Sequence, residues 1–422
     1  MVVRRLSAVD AQTYWLSAKI PNDQFLLYGF AGVPSDPERT LDGLRRRACG
    51  SAELRLRLAE RGPLTYPAWV RRDVGRDQFV VHDLSDISWA GCLASVVRLA
   101  EDQLDARRMT WRLHVFTPVD GLPAAGDGTV AVLQVAHALG DGIRASALAA
   151  WLFGRAADVP PVLAPPPFRG AALPWRSFQA ARTHRQLIHD TNAGLVPRQA
   201  DSRPTLRSNT RPEGLHSIRT VIRRRTELAG PSVTTGVLAA VSTALAGHLR
   251  ELGDDTSRLG AEVPMAKAGV RRAHNHFGNV GVGLYPELEF GARTIRISED
   301  LAQRRRRAQH PAMSAASRAF AAVPAPLLRW GVEQFDPMLR SPTVIGNTVV
   351  SSVNRGPADL RFGELPVVLT AGHPGLSPMM GLTHGVHGIG DTIAISVHAA
   401  ESAIGDIDAY VDRLDAALTT SR

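Results

Sequence analysis

Val130-Ala-Val-Leu-Gln-Val-Ala-His137-Ala-Leu-Gly-Asp141-Gly142-Ile-Arg144-Ala-Ser146 is the stretch whose reading decides the fold. Thr129–Val135 sets small or polar residues against branched ones, Val130 and Val132 among them, and predicts a buried strand. His137-x-x-x-Asp141-Gly142 then reads as a turn, and 142–153, rich in Ala and Leu, as a helix. A strand end followed directly by a helix start holds a side chain in a fixed place. His137 suits a general base there, because imidazole has a pKa near neutrality and can accept a proton from an alcohol or an amine. Asp141 can anchor the turn through an arginine or backbone amides, and Gly142 allows a tight backbone at the helix start. Chance supplies roughly 0.08 matches to this pattern in a chain of such composition, although a structural loop histidine would satisfy the same letters.

On either side of the motif the elements alternate. The spacing predicts helices over 41–58 and 95–104 and strands over 79–82 and 111–116. In the second half, 232–252 carries Val237, Val241, Leu245, Leu249 and Leu252 at spacings of three and four, with Ser232 or Thr234 as a cap. Strands are expected at 281–284, 348–352 and 392–398, and a closing helix from Asp406 that buries Ile407, Tyr410, Val411, Leu414 and Leu418. Val159-Pro-Pro-Val-Leu-Ala-Pro-Pro-Pro-Phe168 should run extended, since proline lacks a backbone donor and fixes φ. The expected organisation is a first domain at 1–155 carrying the motif, a crossover linker at 156–214 with one helix near 178–188, and a second domain at 215–422. Mixed strands and helices in both halves give an α/β (α+β layered) fold class.

The 422 residues suit two domains, and 44% apolar with 21% charged residues are globular proportions. Only Lys19 and Lys267 are lysines, so arginine makes up nearly all of the basic side chains behind the net charge of +9. Arginine binds phosphate well, but the runs Arg45–Arg47, Arg223–Arg225 and Arg304–Arg307 are short and lack interleaved aromatics. A nucleic-acid partner is therefore not expected. Cys49 and Cys92 form no CxxC pair, which points to a reducing compartment. The first ten residues lack the apolar core of a secretory signal, and no stretch approaches the roughly 18 apolar residues of a spanning helix. A cytoplasmic protein is expected, with any membrane contact peripheral, at the inner face. His274-Asn-His276 and His384-Gly-Val-His387 lack Cys or acidic partners at zinc-site spacing; surface histidines, and no metal, are expected there. The Ala-rich stretch 312–330, with Phe320, Leu327, Leu328 and Trp330, reads as a core helix that could also line a tunnel or touch a bilayer.

Ala136-His137-Ala-Leu-Gly-Asp141-Gly142 resembles the HHxxxDG motif of the CoA-dependent acyltransferase superfamily, and the chain looks most like its bacterial wax ester synthase/diacylglycerol acyltransferase family. Further pieces follow in the family's order. Leu6-Ser7-Ala-Val-Asp10 is similar to its LSxxD signature, Pro67-Ala-Trp69-Val70 to its PxWV element, and Leu104-Asp105 with Trp111 to its PLD…LWE passage. Ser232–Val241 is similar to the helix bearing TVND, Val263-Pro264 with Gly278-Asn279 to its MVPVS…GN stretch, and Ser351–Pro357 to its SNVPGP segment.

The resemblance implies two chloramphenicol-acetyltransferase-like domains with the site in a tunnel between them. It implies acyl-CoA as co-substrate, no separate cofactor, and an alcohol acceptor such as diacylglycerol or a fatty alcohol, with contact to a membrane or lipid droplet. His137 would be the catalytic base and Asp141 its motif partner, with Gly142, Arg144, Thr234, Thr235, Asn279 and Asn354 at substrate-binding or structural motif positions. Arg144 would be a candidate for the phosphates of coenzyme A. The chain departs from the pattern at Ala136 (the first motif histidine), at Thr234-Thr235 (the Asn-Asp pair) and at Val353-Asn354-Arg355 (Asn-Val-Pro). An acyltransferase acting on a polyketide, sugar or peptide acceptor, or a catalytically silent lipid- or CoA-binding paralogue, are the alternatives.

Overall fold

The computed structural model describes residues 4–164 and 170–420. Two six-stranded sheets carry the fold. The first has the order Arg361–Phe362, Leu365–Gly372, Gln24–Ala31, Gly126–Val135, Trp111–Leu122, Phe79–His82. The second runs Phe277–Gly283, Gly260–Ala266, Thr348–Asn354, Leu382–Ile389, Thr392–Ala400, His216–Arg224. Each sheet buries one face under helices. Gly142–Leu152 packs Leu148, Ala149 and Leu152 onto Tyr28, Phe30 and Leu133 of the first sheet. Val233–Glu251, capped by Ser232 Oγ accepting from Thr235 N, and the closing helix Ile407–Thr420 cover the second, around Val241, Leu245, Ile395 and Leu414. Gly126–Val135 of the first sheet, and Leu382–Ile389 and Thr392–Ala400 of the second, are buried along nearly their whole length.

The second half does not keep to its own sheet. Leu365–Gly372 pairs antiparallel with Gln24–Ala31, so a segment of the expected second domain completes the first sheet. The boundary between 1–155 and 215–422 is thus crossed by a strand exchange, and the two sheets meet along Leu365–Gly372, Leu382–Ile389 and Thr392–Ala400. The crossover is also more than a linker. Leu173–Asn192 is a twenty-residue helix packed on Pro311–Phe320, and Arg203–Pro204 pairs with Thr343–Val344. Val159–Ala164 forms no helix or strand, as the prolines require, while Pro165–Phe168 of that passage lies outside the described residues.

Several boundaries move for local reasons. The helix expected over 41–58 is Pro37–Gly50, started by the Asp36 cap and Pro37, and Leu56–Ala59 is a strand. The one expected over 95–104 is Trp89–Arg98, because Ser88 Oγ caps it by accepting from Gly91 N. Pro324 splits the Ala-rich stretch into Pro311–Phe320 and Ala325–Glu333. Leu327 and Trp330 face outward there, 50% and 58% exposed, so that stretch is only partly core. The densest arginine run holds the crossover in place: Arg304, Arg306 and Arg307 donate to the carbonyls of Arg198, Leu195 and Pro197.

Candidate active site

The motif lies where the central strand of the first sheet ends. Gly126–Val135 gives way to a tight turn at His137–Leu139, and Asp141 caps the helix Gly142–Leu152 by accepting from Arg144 N at 3.0 Å. Gln24 donates through its side-chain amide to the Gly140 carbonyl and fixes the turn to the neighbouring strand. His137 is half-buried, stacked 5.9 Å from the Phe277 ring, and its Nδ1 is shielded without a hydrogen-bond partner. Burial lowers its pKa, opposed by its own backbone carbonyl, by Asn275 and by the Asp141 charge. The result is an imidazole that is neutral at pH 7, the form a base must have before it accepts a proton.

A loop from the second half clasps this turn. Between Gly260–Ala266 and Phe277–Gly283, the chain sends Arg271 and His274-Asn275-His276 across the seam. Asp141 Oδ2 accepts from Arg271 Nη1 at 2.7 Å and from His276 N at 2.8 Å. Asn275 Nδ2 donates to the His137 carbonyl at 2.8 Å. His274 Nε2 faces Arg4 Nη2 at 2.7 Å; since arginine can only donate, the ring accepts there and donates through Nδ1 to Leu139 O at 2.8 Å. Trp69 stacks on the same ring at 4.8 Å.

Asp10 holds the clasp itself. Its carboxylate is buried and accepts from His274 N, Asn275 N, Asn275 Nδ2 and Ser7 Oγ at 2.8–3.1 Å. Burial nevertheless raises its pKa, against those four bonds. Asp10, Gln24, Arg271 and Asn275 are thus the site residues that sequence reasoning did not single out as functional. The Leu6–Asp10 signature was the available signal for Asp10; for the other three, nothing in the local pattern names a partner so far away in the chain.

The remaining expected residues fall into three groups. Thr234 Oγ1 donates to Ser352 Oγ at 2.9 Å, and the next residue, Val353, packs against Gly142, where a Cβ would lie 3.4 Å from Val353 Cγ2. Val353 of the second half therefore meets the start of the motif helix, while Ser352, its neighbour in the strand, holds Thr234 on the opposite face. Thr235 is committed to the helix cap with Ser232, at 2.8 Å between hydroxyls. Asn279 pairs with Glu262 on the exposed hairpin, and Asn354 accepts from Gly356 N at 3.0 Å in a turn; no contact brings either to His137.

Two expectations are corrected. Arg144 is 0% exposed and fully engaged with Glu53, Leu139 O and Pro160 O, so it is a structural strut with no free edge for coenzyme A phosphates. The histidine pairs are not on the surface. His274, His384 and His387 are buried, and His384 bridges Thr348 Oγ1 and the Tyr410 hydroxyl at 2.9 and 2.7 Å. Among the described residues, no group of three or more His, Cys, Asp or Glu side chains could hold a metal ion. No helix there is long and apolar enough to cross a membrane.

No family model matches the chain, and no curated protein matches it. Solved structures do. The wax ester synthase/diacylglycerol acyltransferase from Marinobacter aquaeolei VT8 is similar over 99% of this chain and 98% of its own, with a TM-score of 0.64 at 18% identity. The starter condensation domain of rhizomide synthetase, solved as a mutant in complex with C8-CoA, is similar over 99% of this chain and 94% of its own, with a TM-score of 0.60 at 13% identity. A second complex of that domain, with C8-CoA and Leu-SNAC, gives 0.59 at 13%. The chain thus has the two-domain, chloramphenicol-acetyltransferase-like fold of these structures. Its structural neighbours there include both an ester-forming enzyme and condensation domains.

Proposed function

We propose that the protein is an acyl-CoA-dependent O-acyltransferase that esterifies an alcohol, with a fatty alcohol or diacylglycerol as the acceptor class. The observation that carries the reading is His137, a neutral, half-buried imidazole at the end of the central strand, held by a clasp from the other half of the molecule. The shared fold supports an acyl-CoA donor, since one such neighbour was solved with C8-CoA and another is a wax ester synthase/diacylglycerol acyltransferase.

In this reading, His137 takes the proton of the acceptor hydroxyl as its oxygen attacks the thioester carbonyl. The carbon–sulfur bond then breaks, the ester forms, and the proton passes from His137 to the departing sulfur of coenzyme A. A base so placed contributes about 10²–10⁴-fold. Asp141, Asn275 and Asp10 are positioning residues: Asp141 ties the motif helix to His276 of the clasp, Asn275 donates to the His137 carbonyl, and Asp10 holds Asn275, so together they fix where the imidazole points. No cofactor enters the scheme. Contact with a lipid phase would fall to the exposed apolar side chains Leu64, Leu327 and Trp330.

The test is to incubate purified protein with octanoyl-CoA and, separately, a fatty alcohol, a diacylglycerol, a sugar and an aminoacyl thioester, and to identify products by mass spectrometry. Ester from either of the first two acceptors, absent with His137→Ala, is expected. Amide or sugar ester alone would overturn the acceptor class, and no acylated product from any of them would overturn the enzyme reading.

A further inference from the structure

Arg355 occupies the position where the resembled segment carries proline. It follows the strand Thr348–Asn354, is 5% exposed, and reaches out of the second sheet onto the first. Its Nη1 donates to Thr370 Oγ1 and to Leu27 O, and its Cζ lies 4.9 Å from the Tyr28 ring centroid. Among the described residues no carboxylate neutralises it, and the interaction that favours its charge is with Tyr28. A buried guanidinium without a counter-charge is something folding disfavours.

Among the described residues, three buried polar atoms of this cluster have no hydrogen bond of ordinary geometry: Arg355 Nε, His387 Nδ1 and the Tyr28 hydroxyl, which interacts with Arg355 and Thr370 beside it. Tyr28 and His387 are themselves 0% and 6% exposed. Gly372 is packed between Arg355 and His387. A Cβ there would lie 3.0 Å from Arg355 Nη2, 3.0 Å from the Phe25 carbonyl oxygen and 3.1 Å from His387 Cε1, so Arg355 and His387 face the same spot and the carbonyl closes one side of it. All three orphans can donate to an anion, and a guanidinium edge matches a planar carboxylate. The cluster adjoins the candidate active site. His387 pairs in register with Val353, which packs on Gly142, and Arg355 is two residues beyond, about 7 Å of extended chain.

We propose that Arg355, with Tyr28 and His387, binds a carboxylate carried by the substrate, so that this site selects an anionic acyl chain or an anionic hydroxy acid over its neutral counterpart. The proposal rests on the acyl-transfer reading and narrows it to a substrate class. The carboxylate can arrive on either reactant, and the two arms of the test separate them. In the donor arm, octanedioyl-CoA is compared with octanoyl-CoA, with octanol as acceptor. In the acceptor arm, 8-hydroxyoctanoate is compared with octanol, with octanoyl-CoA as donor. Thiol release gives the ratio of kcat/KM, anionic to neutral, for the wild type, Arg355→Met and Arg355→Lys.

In one arm the wild type should prefer the carboxylate by about 10- to 100-fold, the range of a charged hydrogen-bonded pair. The preference should vanish in Arg355→Met and survive in part in Arg355→Lys. Absence of a preference in both arms, or a preference that persists in Arg355→Met, overturns the proposal. If no pair releases thiol above the His137→Ala background, acyl transfer fails, and the anion site is judged by binding alone. Octanedioate should then raise the Tm of the wild type and not that of Arg355→Met; equal shifts, or none, reject the site. Arg355→Lys supplies the same comparison should Arg355→Met not fold.

Discussion

Replacing Asp141 separates a structural tie from a chemical role. Asp141→Ala removes a helix cap, worth about 1 kcal/mol. It also strips the counter-charge from Arg271, whose side chain is only 11% exposed and keeps just the bond to the His274 carbonyl, and breaking such a pair from one side costs about 3–5 kcal/mol. The His276 N–H loses its acceptor at the same time. The sum, about 4–6 kcal/mol, is a large part of the roughly 5–15 kcal/mol that holds a typical domain together. Asp141→Asn keeps the shape and one acceptor oxygen, and should lose about half as much. Urea unfolding followed by circular dichroism measures these values. Because Asp141 and Arg271 share one bond, their alanine variants should be non-additive by about 2 kcal/mol or more in a double-mutant cycle. In the folded Asn variant, kcat/KM for thiol release should fall about 10²-fold as the turn bearing His137 loosens. A destabilisation below about 1 kcal/mol for Asp141→Ala would refute the clasp. Unchanged stability with activity lost 10⁴-fold would make Asp141 a direct participant in the chemistry.

Asn275→Ala removes one of two donors from the His137 carbonyl and one of two from Asp10 Oδ1, and should lower kcat/KM about tenfold or more while costing about 1–3 kcal/mol; a variant with wild-type kinetics would show that the clasp does not position the base. Burial holds His137 below the ordinary histidine range, so kcat/KM should be flat through pH 7 and fall only at lower pH, where the base becomes protonated; a profile still rising between pH 7 and 8 would contradict this. Stability should also fall in acid. Burial depresses His114 and His373 to about 4, and His384 and His398 to about 3, so below pH 6.5 the unfolded chain binds more protons than the native one. Each such histidine contributes a loss of about 1.4 kcal/mol per pH unit as pH drops from 6.5 toward its folded value. The urea midpoint should decline from pH 7 to pH 5, and a constant midpoint would count against neutral buried histidines.

Local pattern carried part of the fold. The strand-turn-helix around His137, the Ser232 cap and the closing helix with Tyr410 and Leu414 all follow from periodicity over a dozen residues. What was hidden depends on partners distant in the chain. Leu365–Gly372 pairs with Gln24–Ala31 across more than 300 residues, and nothing in its composition assigns it to the first sheet. The clasp was hidden for the same reason: Asn275 meets His137 138 residues away. His384 and His387 were misplaced because flanking glycines usually mark loops. Here Gly385 and Gly388 lie within a buried strand and admit close neighbours, the Gly372 backbone beside one and the Ile393 side chain beside the other. Arg144 shows the converse error, since proximity in sequence to a motif says nothing about which way a helical side chain points.

His137 carries the proposed chemistry. Free thiol released from octanoyl-CoA in the presence of octanol, measured side by side for the wild type and a folded His137→Ala variant, tests it in one assay. The wild type should show acceptor-dependent release and the variant a loss of about 10²–10⁴-fold, with the Tm retained. Equal release by the two proteins would contradict it.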